Sequence, residues 1–521
     1  MKKQKKILVS KRSGEKVVYD YTKISDRIRQ LTDGIPGVSA SMIEMQMDLH
    51  ISDGMTTSSI DEVMLRTIVD LIDEEILPIE GNVNYEKVAG RHLCGMLRKE
   101  VYGQYTPHRL YDIVKRNVSI GLYTSELLEW YTEQEWDYMD SKIDHSKDEL
   151  LVYSALEQLK DKYLVKNRST GKIYETPQIR YIVAAATDFH MEDPTERMDL
   201  IIDYYESASN GEFTLSTPVL AGLGTPTKQF SSCVLIKTGD STPSIQASTN
   251  LVETYAAKRA GLGIDFSRIR ALDAPVRNGE ISHTGMVPFL KKTYYGMRAF
   301  SQGGIRNSSA TITYPIWHYQ FDDLIQLKNN RGIDETRVRH LDYSVAVSSI
   351  FFVRLKNKQD ITFFDPNDVP ELYEAYYRDI KKFNKMYIEL ERTADKLGIR
   401  YKRESADKVI RQWLFKERVE TGRIYLFFVD NVQRQTVFDI KNFPIYQSNL
   451  CQEILLPTLE FGQNPTDNDP TKLVKIIQDN QYVIKHMDYE VPTINRGLVK
   501  VKNLTETDEL NLNYCKTIYN L

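Results

Sequence analysis

Cysteine is scarce: Cys94, Cys233, Cys451 and Cys515 are the only four in 521 residues. None belongs to a CxxC pair or a Cys/His cluster, so neither a structural metal site nor a disulfide framework organises the chain. Such spacing fits a reducing cytoplasm, where a disulfide serves catalysis rather than structure. An excess of one charge is also missing. The net charge is −4 with 27% charged residues, which offers no basic stripe for a nucleic-acid partner. No apolar run reaches membrane-spanning length, so no membrane is expected. The basic start, MKKQKKILVSKRSGEK, is not followed by an apolar stretch, so no secretory signal is expected. There are no internal repeats. Neither GxGxxG nor GxxxxGK[ST] occurs, which excludes the ordinary dinucleotide and P-loop signatures.

What is present is length and patterning. A chain of 521 residues predicts two to four domains. Ile7–Val9 and Val17–Tyr19 around Ser13-Gly14 predict a hairpin, and Tyr21 opens a helix. Helical periodicity recurs near 38–49, 57–74, 82–102 and 107–118, so residues 1–100 read as a small α+β module. A helical region follows over 101–212, broken by a hairpin at 163–176. From 213 to 458 short apolar runs alternate with helices: SCVLI, GLGIDF, ATITYP, DYSVAVSSIFFVRL, RIYLFFVDN and SNLCQEILL. Helices are expected near 242–260, 285–298 and 318–329 and across 368–420. That alternation predicts an α/β architecture, an open sheet or a barrel. Residues 459–521 form a divergent tail with weak patterning.

The stretch SNLCQEILLPT reads as a buried strand, on which Asn449, Cys451 and Glu453 share one face while Leu450 and Ile454 face the other way. A lone buried cysteine is ordinarily a small hydrophobe. A carboxylate on the same buried face has a desolvation cost that a structural role does not explain. Amide, thiol and carboxylate together suit an active site. Cys233 begins another strand, as a core thiol or as half of a redox pair with Cys451. The stretches RAGLGIDFSRIRAL and SQGGIRNSSAT mix glycine with arginine, as ordinary loops or as anion sites. The basic pairs in SKR (10–12) and MLRKE (96–100) read first as solvated faces, with a phosphate site as the alternative.

Taken together, STPVLAGLGTPTKQFSSCVLI, RAGLGIDFSRIRAL, SQGGIRNSSATITYPIWH, LKNNRGIDETRVRHLDY and QSNLCQEILLPT resemble the large, catalytic subunit of class I ribonucleotide reductase, nearly continuously from residue 6 to 458. The resemblance implies an N-terminal ATP cone, a helical region, and part of a ten-stranded α/β barrel whose finger loop carries Cys451. It thus replaces the strand reading of 448–456 with a loop tip. It implies that Cys451 becomes a thiyl radical and takes the ribose 3′-hydrogen. Glu453 is the implied base for the 3′-hydroxyl, Asn449 the amide that holds the substrate hydroxyls, and Cys233 one of two reducing thiols. Thr217 and Ser232 match substrate-holding positions. Asp240, Ser241, Arg270 and Arg277 match a dNTP specificity site at a homodimer interface, with Gln302 and Arg306 in the loop that relays effector identity. Val9, Lys11, Arg12, Lys23, Thr57 and Lys99 match the cone's nucleotide-binding positions.

By the same resemblance the substrate is a ribonucleoside diphosphate and the effectors are ATP and dNTPs. The radical comes from a di-iron tyrosyl centre on a separate beta subunit, the reductant is thioredoxin or glutaredoxin, and the setting is the cytoplasm of a bacterium or a phage-infected host. No metal site is expected on this chain. Several positions depart from the family. Asp61 stands where well-known cones carry a histidine, and Gly95 where they carry an aromatic. Family members are longer, which implies a complementing C-terminal alpha fragment, as in a gene split by mobile DNA. A truncated product or a non-catalytic nucleotide-binding remnant is the competing expectation. The second reducing cysteine is expected soon after the finger loop, and Cys515 in NYCKTIYNL is the only candidate.

Overall fold

A computed structural model describes residues 7–48, 50–73, 82–300, 308–458 and 460, and the backbone of four strands between 473 and 500. The chain divides into two compact units, residues 1–230 and 231–521. The division falls later than the expected 212/213. Helix Thr217–Gly222 packs on helix Pro177–Asp188, and Leu220 joins the core of the first unit. Lys228 also pairs with Glu126 at 2.5 Å.

The first unit has two cores. One gathers Val9, Ile28, Leu31, Ile43, Ile60, Met64 and Ile68 beneath the hairpin Leu8–Ser10/Lys16–Val18 and the helices Tyr21–Thr32, Ala40–Asp48 and Thr57–Asp73. The second centres on Trp136, Leu110, Leu127, Ile179 and Ile182. Helix Asn82–Tyr102 serves both: Tyr85, Val88 and Ala89 enter the first core, while Leu93, Cys94 and Leu97 enter the second. The boundary expected at residue 100 therefore runs along a continuous helix. Cys94 is a core thiol, pushed up to about 12 by burial. The hairpin expected at 163–176 reduces to one bridge between Lys166 and Ile173.

The second unit is built on five strands, β1 (Cys233–Lys237), β2 (Gly261–Asp265), β3 (Ala310–Pro315), β4 (Asp342–Val347) and β5 (Ile424–Phe428). They form one wholly parallel sheet in the order β5-β4-β3-β2-β1. Sequential parallel strands need crossovers, and helices such as Thr242–Ala257 and Met286–Phe300 supply them. Side chains alternate along each strand. One face carries Leu262, Ile264, Ile312, Tyr314, Tyr343 and Val345, all buried in the main core. The register puts Cys233 beside Gly261, Gly263 beside Thr311, and Thr313 beside Ser344, which lies beside Tyr425. The opposite face is thus lined by small and polar residues.

Other expectations change in detail. DYSVAVSSIFFVRL splits into β4 and helix Ser349–Lys356. The helix expected over 318–329 shrinks to Phe321–Leu324. The helical region 368–420 is interrupted by strand Tyr401–Ser405, which pairs antiparallel with Asp360–Phe364. Helix Ile380–Leu397 has clear ends: Asp379 accepts from Lys381 N and Lys382 N at 3.1 and 3.0 Å, and Gly398 closes it at φ 65°. Beyond residue 472 the backbone forms two antiparallel hairpins, Leu473–Gln478 with Gln481–His486 and Glu490–Thr493 with Gly497–Lys500. No helix among the described residues is long and apolar enough to cross a membrane.

A buried carboxylate in the first unit gives a test. Asp148 is fully buried; it accepts from Gln178 N at 3.2 Å and lies 3.9 Å from Arg98. Desolvation outweighs the arginine and raises it from 3.8 to about 7. A raised folded-state value means this group's contribution is intact below about pH 4 and is lost as pH rises through about 7. Asp148→Asn is therefore expected to flatten the pH dependence of stability over that window. At pH 8 it should be more stable than the parent by on the order of 1–4 kcal/mol. Urea unfolding at pH 5 and pH 8 measures this, and an equal loss at both would refute it.

Candidate active site and nucleotide pockets

The stretch 448–456 is not a strand. Asn449 is wholly buried and its amide turns the chain. Its Oδ1 accepts from the backbone N–H groups of Glu453 and Ile454 at 2.9 and 3.0 Å, and its Nδ2 donates to Glu453 Oε1 at 2.5 Å. Gln452 N donates to Asn449 O at 3.3 Å, and Ser448 Oγ donates to Ile454 O at 2.6 Å. Those bonds replace a strand ladder with a tight turn, and strict alternation of faces is lost. Cys451 and Glu453 are exposed at the tip, whereas the sequence predicts a buried face. The Asn449–Glu453 pairing is present in another geometry.

The loop sits on the small-residue face of the sheet. A Cβ on Gly263 would lie 2.0 Å from Ser448 O and 2.8 Å from Asn449 Cα. A Cβ on Gly261 would meet Leu450 Cδ2 at 2.8 Å and Cys233 Sγ at 3.2 Å. Cys233, half-buried at the start of β1, thus lies beside the loop through Gly261. Thr311 Oγ1 of β3 donates to Leu450 O at 2.7 Å, and Ser344 Oγ of β4 donates to Gln452 Oε1 at 2.8 Å. Gln452 itself adopts φ 67°, and its Nε2 donates to Asn449 O at 3.0 Å. Gly261 and Gly263 of RAGLGIDFSRIRAL therefore lie in a strand and admit the loop, rather than forming an ordinary loop or an anion cradle. The signal was visible as a Gly-x-Gly inside a strand pattern, which marks a close backbone approach.

Electrostatics near the tip come from β4 and β5. Asp342 pairs with Lys328 at 2.7 Å and Arg423 at 3.1 Å. Tyr425 is pushed up by burial first, then by Asp342 and Cys451. Sequence reasoning missed Gln452, Ser344, Thr311 and Tyr425, because only the register brings them to the loop.

A second site lies at the end of β1. Asp240, Ser241, Thr242, Ile245, Gln246, Arg270, Val276, His283, Phe289 and Lys292 line a cavity of about 220 Å³. Asp240 accepts from Arg270 N at 3.0 Å and from Arg270 Nε at 2.7 Å. Burial pushes the Asp240 carboxyl up, with the Arg270 bonds opposing. Ser241 caps helix Thr242–Ala257, so that helix directs its N-terminus at the cavity. Helix dipole, Arg270 and Lys292 suit an anion, while Asp240 suits a hydroxyl donor. Three of the expected specificity residues, Asp240, Ser241 and Arg270, are thus brought together. Arg277 is exposed on the neighbouring hairpin turn at φ 51°. Gln302, Arg306 and Cys515 lie outside the described residues.

Ser232 is half-buried just before β1, its carbonyl accepting from Gly261 N at 2.8 Å. Thr217 opens a helix of the first unit, with its hydroxyl 3.3 Å from Tyr163 Oη. In the N-terminal module Val9 is a core residue, Lys11 and Arg12 lie at the hairpin turn, Lys23 is on the first helix, Thr57 opens the third, and Lys99 is near the end of the fourth. Among the described residues no group of three or more His, Cys, Asp or Glu side chains is arranged to hold a metal ion.

Comparison with known proteins settles the family. A family model described as the ribonucleotide reductase barrel domain matches residues 231–491, and one described as the all-alpha domain matches 149–228. The chain belongs to the ribonucleotide reductase family. It is similar to the ribonucleoside-diphosphate reductase subunit alpha of Haemophilus influenzae, 39% identical over 93% of this chain and 63% of that protein. The ribonucleoside-diphosphate reductase 1 subunit alpha of Escherichia coli is 41% identical over 87% and 58%. The phage T4 subunit alpha is 38% identical over 93% and 62%. The chain therefore spans about three-fifths of the length of these relatives. The loop at Cys451 and the cavity at Asp240 both lie within the part matched as a ribonucleotide reductase barrel domain.

The loop's seat yields a stability test. Gly263→Ala places a methyl against backbone that cannot yield without moving the loop. It is expected to cost about 1–3 kcal/mol. It should also speed hydrogen exchange over 445–456 by about tenfold or more. Unchanged exchange across the loop would show that the close approach does not hold it.

Proposed function

We propose that this chain is the N-terminal part of a ribonucleotide reductase alpha subunit that reduces ribonucleoside diphosphates to deoxyribonucleotides by thiyl-radical chemistry. The observation that carries the proposal is the turn in which buried Asn449 binds Glu453 beside Cys451, on a loop that lies over Gly261, the register neighbour of Cys233. Cys451, oxidised by one electron through a separate radical-generating beta subunit, takes the 3′-hydrogen atom. Glu453 accepts the 3′-hydroxyl proton, and Asn449 is released to bind the substrate hydroxyls. The 2′-hydroxyl leaves as water with a proton from a reducing thiol. Cys233 and a second thiol together supply two electrons and end as a disulfide, and Cys451 returns the hydrogen to C3′. Cys515 is the proposed second thiol, with thioredoxin or glutaredoxin reducing the disulfide.

The cavity at Asp240, Ser241 and Arg270 is proposed as the dNTP specificity site, with Arg277, Gln302 and Arg306 completing it across an alpha–alpha dimer. Residues 1–100 are proposed as the ATP-binding module. A complementing alpha fragment is proposed to supply the other part of the barrel, placed against β5, an end strand of the sheet among the described residues.

Activity tests this directly. CDP reduction with ATP is expected only when this chain, a chain carrying the remaining family segments and the beta subunit are combined. Cys451→Ser should abolish it, and Glu453→Gln should lower it by a factor on the order of 10². Turnover that persists in Cys451→Ser would overturn the assignment. Absence of turnover in the complete mixture, with dNTP binding retained, would mark a nucleotide-binding remnant. Arg270→Ala is expected to weaken dNTP binding by about 1.5–3 kcal/mol, read by calorimetry. Unchanged affinity would remove the cavity from the proposal.

A further inference from the structure

The four cations that match nucleotide-binding positions in the N-terminal module all have carboxylate partners inside it. Lys11 lies 2.7 Å from Glu15, and Lys23 lies 4.0 Å from Asp20. Arg12 and Lys99 share a single acid, Asp61, at 3.2 Å each. The first two pairs are exposed and solvent-screened. At the third, the Asp61 side chain is 14% exposed and Lys99 21%, while Arg12 is 41% exposed, so the shelter is on the Lys99 side. Ion pairs sheltered in this way are screened less than surface ones. Asp61 also joins separate elements, the hairpin turn at Arg12, its own helix Thr57–Asp73 and the helix Asn82–Tyr102 that bears Lys99.

The surroundings reinforce the pairing. The Asp61 carbonyl is bonded to the His92 ring at 2.9 Å. His92 is buried, and desolvation pushes it down to about 4, so at neutral pH it adds no positive charge. Lys99 Nζ also sits 4.7 Å from the centre of the Tyr105 ring, which Arg27 covers from 5.4 Å. Those two side chains fill the space beside Gly95, where a Cβ would meet Arg27 Nη2 at 2.6 Å and Tyr105 Cε1 at 3.2 Å. Lys99 is thus held by an anion on one side and an aromatic face on the other.

We propose that Asp61 acts as a built-in anion that suppresses polyphosphate binding at the N-terminal module, by holding Arg12 and Lys99 in an internal ion pair. A nucleotide phosphate must displace Asp61 from both cations to reach them. The displaced carboxylate then remains beside the phosphates and repels them. This inference rests on reading residues 1–100 as a nucleotide-binding module, and it gives that module a weak response to nucleotide.

Hydrogen exchange on the full chain, with and without millimolar ATP and Mg²⁺, localises binding to peptides over 8–18 and 57–72 and separates it from the cavity at Asp240. The parent chain should show little protection there. Asp61→Asn, or Asp61→Ser as a second neutral variant, should show clear protection, with half-saturating ATP lowered by about tenfold or more. Adding Arg12→Ala to Asp61→Asn should remove the gain, because it acts through the released cation. Equal protection in parent and variants would overturn the role of Asp61 while leaving the module a nucleotide site. No protection in any of them, with melting temperatures unchanged, would defeat the nucleotide reading itself and the inference with it.

Discussion

The second unit depends on one close approach: the backbone of Ser448 and Asn449 lies where a side chain on Gly263 would be. A parallel sheet normally fills both faces with branched residues. Here one face is kept small, with Gly261, Gly263, Thr311 and Ser344, so that an irregular segment can lie directly on the strands. That segment must then satisfy its backbone groups away from water. Thr311 takes the Leu450 carbonyl, and Asn449 takes the N–H groups of Glu453 and Ile454. The hydroxyls lining the strands and the amide in the turn answer the same requirement from two sides.

Asn449 divides its amide between two sets of partners. Its oxygen is spent on the turn, while its Nδ2 holds Glu453. A substrate hydroxyl would have to replace Glu453 at Nδ2, leaving the carboxylate available as a base. The turn itself would survive that exchange, because the bonds from Glu453 N and Ile454 N go to the oxygen. In the proposed reaction such a side chain would keep its structural bonds while exchanging the one to Glu453.

The sequence made the strands of the sheet legible because their alternation is strong. ATITYP is the span of β3, GLGIDF exceeds β2 by one residue, and RIYLFFVDN contains β5 and runs on into the helix that follows it. Around Cys451 the residue types alone suggested a strand, the resemblance implied a loop tip, and the loop is what the backbone forms. Spacing of i, i+2 implies one face only if the segment is extended, and Asn449 prevents that by bonding forward to residues 453 and 454. The helix expected near 318–329 failed for a different reason: apolar Phe321, Leu324, Ile325 and Leu327 are all buried around one short turn, which periodicity alone cannot distinguish from a longer helix. Asp240, Ser241 and Arg270 were singled out residue by residue, yet Lys292, His283 and Phe289 join their cavity only through the packing of the hairpin and helix Met286–Phe300.

The two anion-binding candidates show how the same ingredients yield different outcomes. At the cavity, Asp240 and Arg270 are bonded, but Lys292 and the N-terminus of helix Thr242–Ala257 add positive potential that no carboxylate of the lining cancels. At the N-terminal module, Asp20, Glu15 and Asp61 between them engage every cation at the matching positions. Affinity for a phosphate depends on the charge left over after internal pairing, not on the number of lysines and arginines present. A pattern of basic residues read from sequence therefore shows neither the internal pairing in the module nor the helix terminus at the cavity. The difference turns on Asp61, a single carboxylate on the third helix, placed within reach of two cations that are far apart in the chain.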